Sequence, residues 1–187
     1  IDIEAYQELE RTANFFRLEV PQRPVGTAAG TNVVPIDWEL ISSISKDATL
    51  ILSTDKGEIT WQLFVEEAPA TVAEIVKLSQ KGFYSNKTFH RVVPNFVAQG
   101  GCPRGDGFGG LPYAIKSEFA PLSYMQGMVG MASAGKDTES CQWFITHCPT
   151  PHLDGRYTIF AKTITGMKNA QKLEIGDRIQ KITLNNS

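Results

Sequence analysis

Thr88-Phe-His-Arg-Val-Val-Pro-Asn-Phe-Val-Ala-Gln-Gly-Gly101 consists of two short extended runs folded back at Pro94-Asn95, a pair that favours turn initiation. The stretch reads as a β-hairpin carrying an arginine. Side chains alternate faces along a strand, so Arg91 and Val93 point one way, His90 and Val92 the other, and Val97 and Gln99 share a face on the second arm. Taken singly, such an arginine is a solvated charge whose methylene stem lies on apolar surface. His90, turned toward the interior, reads as a buried neutral imidazole satisfied by backbone groups rather than as a proton carrier.

Around this hairpin the chain divides into short elements. Residues 3–20 place Tyr6, Leu9, Ala13, Phe16 and Val20 at helical spacings up to Pro21, and residues 21–35, with three prolines, two glycines and no periodicity, read as a linker. The expected organisation is an N-terminal helix and linker extension over 1–35, connecting to a larger upstream partner or strapped onto the domain, and a folded domain over 36–187. Asp37 is placed to cap a short helix. Strands are expected over 49–54 and 58–64 around a turn at Asp55-Lys-Gly57, then over 89–93, 96–99, 128–131, 142–146, 157–163 and 178–184. A helix starts at Pro69 with Val72, Ile75, Val76 and Ser79 on one face and stops at Lys81-Gly82, and a second is expected near 167–174. Eight period-two strands have an edge problem that closure solves, so the class is mainly β, a small barrel filled by its own side chains. Trp143 and Ile145 are bulky inward residues that argue against a lipocalin-like ligand cavity.

With 187 residues, 42% hydrophobic residues and a net charge of -2, this is an ordinary soluble globular composition. No basic run marks a nucleic-acid surface, and no apolar stretch approaches the roughly 18 residues that span a bilayer. The three cysteines, Cys102, Cys141 and Cys148, are an odd number and too few for a disulfide framework, which leaves the compartment open between cytoplasm and cell envelope. Gly105-Asp-Gly-Phe-Gly-Gly110 matches a dinucleotide fingerprint in letters only, because it leads into Leu-Pro-Tyr rather than a helix. Ser133 lacks the first glycine of a nucleophile elbow, and Cys141, His147, Cys148 and His152 lack paired zinc spacing. No metal and no cofactor is expected.

Two further segments, Met128-Val-Gly-Met-Ala-Ser-Ala-Gly135 and Ser140-Cys-Gln-Trp-Phe-Ile-Thr146, complete a pattern. Phe-His-Arg, Gln-Gly-Gly, Met-Ala-x-Ala-Gly, x-Gln-x-Phe-Ile and Leu153-Asp154-Gly155, in this order, resemble the cyclophilin family of peptidyl-prolyl cis-trans isomerases. The resemblance implies a closed eight-stranded antiparallel barrel with a helix over each open end, acting without cofactor on proline-containing peptides and unfolded protein chains. It implies Arg91 as the catalytic residue with Gln99 bracing it, and a proline pocket of Phe96, Val97, Phe144 and Leu153. Ala132 and Ser133 would offer backbone to the substrate chain and Gln142 its amide. His152 stands where cyclosporin-sensitive members carry tryptophan, and Tyr157 where many carry a pocket histidine, so cyclosporin binding is expected to be weak or absent. Gln99 and Gln142 should approach each other, which makes their neighbours Cys102 and Cys141 a candidate redox pair. The competing reading is a non-catalytic module that binds proline peptides in the same groove.

Overall fold

In the computed structural model, which describes residues 32–186, the chain enters through α1 (Trp38–Ser43). The Asp37 carboxylate accepts the Leu40 N–H at 3.0 Å, the cap that the sequence places there. β1 (Thr49–Thr54) and β2 (Gly57–Leu63) then pair antiparallel around Asp55-Lys56. Gly57 has φ +110°, and a Cβ there would lie 2.8 Å from Asn169 Nδ2, so the turn requires glycine on two counts.

α2 (Pro69–Gln80) buries Val72, Ile75, Val76 and Ser79, the face expected from their spacing. It ends as expected: Gly82, at φ +66°, donates to the Ser79 carbonyl and Phe83 donates to that of Leu78. Its start is unusual, because Ala68 has no side chain with which to cap it. Glu118 does this from a distant loop, accepting the Ala70 and Thr71 N–H groups at 2.9 Å each and the Thr71 hydroxyl at 2.8 Å.

The remaining elements are β3 (Lys87–Thr88), β4 (Arg91–Val93), β5 (Val97–Gly100), β6 (Met128–Met131), β7 (Trp143–Thr146), β8 (Ile159–Thr165), α3 (Met167–Ala170) and β9 (Arg178–Asn185). All nine strands form one antiparallel sheet in the order β3-β9-β1-β2-β8-β6-β7-β5-β4. The strand beyond the expected eight is β3, two residues paired to Ile179 and Arg178 of β9. Only Phe89-His90 separates β3 from β4, the two ends of the sheet, so the sheet curls until its edges meet through the chain itself. The helix expected over 167–174 is the single turn α3, since only Ala170 and Leu173 of that stretch are buried, too narrow a stripe to hold a second turn.

Inside the curl, Trp61 and Trp143 meet edge-to-face at 4.8 Å, and Phe89, Phe160, Met131 and Ile145 are fully buried around them. Trp143 and Ile145 thus point inward as expected, which sends Gln142 and Phe144 to the outer face. The helix expected over 3–20, and residues 21–31 of the expected linker, lie outside the described residues. The last residues of that linker are paired: Val34 donates to the Ala114 carbonyl at 2.8 Å, Ala114 donates to that of Asn32 at 3.2 Å, and Val34 packs on the core.

Candidate active site

The site is a row of facing positions laid across four strands. Arg91 on β4 lies directly opposite Gln99 on β5, Gln99 opposite Phe144 on β7, and Phe144 opposite Gly130 on β6. Residues opposite one another on one face of a sheet are neighbours, so the alternation that put Arg91 and Gln99 outside also put them together. Gln142 Nε2 donates to the carbonyls of Gly107 and Gly109 at 3.0 and 2.7 Å, which spends both its hydrogens and leaves Oε1 to accept from Gln99 Nε2 at 3.1 Å. The orientation of the Gln99 amide therefore follows from the glycine-rich loop 105–110. That loop, rejected as a nucleotide site, is a support for the row.

Arg91 is solvent-exposed, its guanidinium 5.7 Å from the Phe96 ring centroid. The other partner of Phe96 is His152, stacked at 5.5 Å and 21°. Beside them an apolar wall is built from Val97, Phe144, Ile159 and Tyr124, with Leu153, Tyr157 and Ala132 at its rim. Phe144 is held by two aromatic contacts, Tyr124 stacked at 5.5 Å and Tyr157 edge-on at 5.9 Å. Ala132 leaves β6 with its N–H bonded to the Gln142 carbonyl at 2.9 Å, and Ser133, half-buried, continues the segment. Arg91, Phe96, Val97, Gln99, Ala132, Gln142, Phe144, His152, Leu153 and Tyr157 are thus linked through shared contacts on one outer face.

Tyr124 is the residue of the wall that sequence reasoning missed. It is fully buried, and its hydroxyl donates to the carbonyls of Tyr157 and Thr158 at 3.3 and 3.2 Å. It lies in an irregular stretch, where no periodicity marks a buried side. Its hydroxyl sits over Gly130, where an added Cβ would come within 1.9 Å of it.

His90 corrects the sequence reading. It is half-buried, and neither ring nitrogen has a hydrogen-bond partner among the described residues. The backbone of the neighbouring Gly107 and Gly109 is engaged elsewhere: their N–H groups go to the Cys102 sulfur, both at 3.3 Å, and their carbonyls go to Gln142. Burial holds its imidazole below the usual histidine range, against the pull of Asp106. Cys102 and Cys141 are both buried free thiols, and burial pushes the Cys141 thiol up to about 11. Among the described residues no three His, Cys, Asp or Glu side chains form a metal-binding group, and no helix is long and apolar enough to cross a membrane.

Known proteins resemble this chain in sequence and in fold. The sequence profile of the cyclophilin type peptidyl-prolyl cis-trans isomerase/CLD family matches residues 49–186. A peptidyl-prolyl cis-trans isomerase of Synechococcus elongatus is 48% identical over 136 residues, covering 72% of this chain and 94% of its own. Peptidyl-prolyl cis-trans isomerase B of Bacillus subtilis is 46% identical over 133 residues, covering 70% and 93%. Among solved structures, a cyclophilin type peptidyl-prolyl cis-trans isomerase of Cryptosporidium parvum superposes with a TM-score of 0.71 at 29% identity, covering 74% of this chain and 98% of that one. The curled nine-stranded sheet, the arginine-to-phenylalanine row on its outer face and these matches lead to one assignment: the chain belongs to the cyclophilin family of peptidyl-prolyl cis-trans isomerases.

Proposed function

We propose that Arg91, braced by Gln99, is the group through which this peptidyl-prolyl cis-trans isomerase stabilises the twisted imide, while Phe96, Val97, Phe144 and Leu153 grip the proline ring. Rotation about an X-Pro bond passes through a state without amide resonance, against a barrier of roughly 18–20 kcal/mol. No bond is made or broken, so catalysis requires only that the twisted imide be bound better than either planar isomer. In the twist the imide nitrogen pyramidalises and regains a lone pair. A forked donor that is always charged can hydrogen-bond the prolyl region there, provided it is held in place.

The observation that carries this reading is the position of Arg91 opposite Gln99, whose amide is tied to Gln142 at 3.1 Å and through it to the 105–110 loop. With its Nε2 committed to Gln142, the Gln99 oxygen is the atom left to face the guanidinium. The wall supplies the grip, and Ala132 and Ser133 offer their backbone to the substrate chain on either side of the proline. Bringing exchange from tens of seconds to milliseconds takes a factor of about 10⁴–10⁵, or about 5–7 kcal/mol of differential binding. A charge-assisted hydrogen bond formed as water leaves the pocket is of that order when the remaining wall contacts contribute.

The test is exchange NMR on an Ala-Pro peptide with wild type and Arg91→Ala at equal concentration. The wild type is expected to accelerate cis-trans exchange, and the variant to lose about 10²–10³ of that rate while still broadening the peptide signals by binding. Binding without acceleration in either protein would mean a recognition module; full activity in Arg91→Ala would remove the arginine from the mechanism.

A further inference from the structure

The segment that leaves β6 and returns to β7 is held by a carboxylate that the reading above leaves unused. Glu139 is completely buried, and among the described residues no cation pairs with it. Its Oε2 accepts the Ser117 hydroxyl at 2.8 Å and its Oε1 the Thr158 hydroxyl at 3.3 Å. Each hydroxyl also accepts a backbone N–H, Ser117 Oγ from Asp137 at 2.7 Å and Thr158 Oγ1 from Glu118 at 2.8 Å. The Glu139 backbone carbonyl accepts the Ile115 N–H at 2.7 Å. One side chain thus ties together three separate stretches, around 115–118, 137–139 and 157–158.

Two of these stretches carry the substrate groove. Thr158 follows Tyr157, which stands edge-on to Phe144, and the Thr158 carbonyl accepts the N–H of Met131, the residue before Ala132. At the other end of the loop, Asp137 is fixed to Ser117 in both directions, its N–H to Ser117 Oγ and its Oδ1 to the Ser117 N–H at 3.0 Å. An uncompensated buried carboxylate is expensive, and burial raises the proton affinity of this one. A carboxylate can nevertheless do what no amide of the same size can, which is accept a hydroxyl hydrogen on each of its two terminal atoms. Since both hydroxyl oxygens already receive a backbone N–H, both hydroxyl hydrogens are directed at Glu139, and an amide in its place would meet one of them with a donor.

We propose that Glu139 is a positioning residue of the isomerase site, fixing the Ala132–Ser133 strip and Tyr157 in the geometry that grips the substrate chain without touching the imide. The proposal rests on the isomerase reading. It predicts a specific signature: loss of substrate affinity with the rotation step intact, since the Gln99 and Gln142 side chains are held by the carbonyls of Gly107 and Gly109 and not by Glu139.

The test is steady-state kinetics by exchange NMR on Ala-Pro peptides for wild type and Glu139→Gln. The expected result is KM raised about fivefold, the equivalent of one hydrogen bond, with kcat within about twofold. An unchanged KM, or a fall in kcat alone, overturns the proposal. If Glu139→Gln does not fold, Ser117→Ala decides, since it keeps the carboxylate and its Thr158 bond: a KM raised at least about twofold at constant kcat supports the proposal, and wild-type KM overturns it. Inactivity of the wild type itself would sink the isomerase reading, a result distinct from either of these.

Discussion

Gly130 shows how much one missing methyl group decides. It lies opposite Phe144 and beneath the Tyr124 hydroxyl, so Gly130→Ala would drive a Cβ to 1.9 Å from Tyr124 Oη and 2.9 Å from Phe144 Cζ. Tyr124 must then leave its stack and its two carbonyl partners. The expected cost is about 1–3 kcal/mol of stability, the range for overpacking. Activity should fall about tenfold, because the wall behind the proline ring shifts. Urea unfolding together with peptide exchange rates checks both; a variant that unfolds at the wild-type midpoint with full activity would mean that Tyr124 is not part of the wall. The faces of Arg91, Gln99, Gln142 and Phe144 were legible from sequence, since they lie on or beside short alternating strands where face follows from parity, while their meeting in one row was implied only by the resemblance. Tyr124 was not legible, because irregular backbone has no parity, and the same holds for the two-way pairing of Asp137 with Ser117.

Among the elements, α2 was readable in its face and in both its ends, yet the group that satisfies its first turn was invisible. A capping side chain is normally sought within a few residues of the helix start, whereas Glu118 is 48 residues from Ala70. Glu118→Ala should cost about 1–2 kcal/mol, the loss of a cap, and should raise the amide exchange rates of Ala70 and Thr71 selectively. An unchanged melting temperature would show that solvent replaces the carboxylate at no cost. The hairpin over 88–101 was read correctly at its turn but not at its start, where Phe89-His90 makes the corner between β3 and β4 rather than part of a strand. Two residues, Lys87-Thr88, are too few to show periodicity, and their strand exists only because β9 offers them an edge.

For the whole molecule, one buried and one half-buried histidine set an acid limit. His147 and His90 are both held below the usual value of 6.5, burial being the main cause in each. The unfolded chain therefore takes up protons at a higher pH than the native one. Their contribution to stability is complete above about pH 6.5 and is lost as pH falls through that value toward their native pKa. Glu139 runs the other way: its raised pKa gives a contribution present below the unfolded carboxylate value and lost as pH rises through its native one. The two contributions slope in opposite directions with pH, so the histidine effect is isolated by substituting a histidine. The unfolding midpoint should drop between about pH 7 and about pH 5.5, and His147→Gln should flatten that slope whatever its effect on absolute stability. The same slope in His147→Gln as in the wild type would show that this imidazole titrates alike in both states.

The order of the sheet also bears on how the chain is made. β9, the final strand, is inserted between β1 and β3, pairing with Thr49–Thr54 on one side and Lys87–Thr88 on the other. Its Ile179 and Ile182 complete the core. While residues 178–185 are still inside the ribosome, β1 and β3 have a gap between them the width of a strand, and the barrel wall cannot form. Native folding of this sheet therefore waits until residues 178–185 have left the ribosome, and until then the X-Pro bonds of the isomerase are themselves those of an unfolded chain.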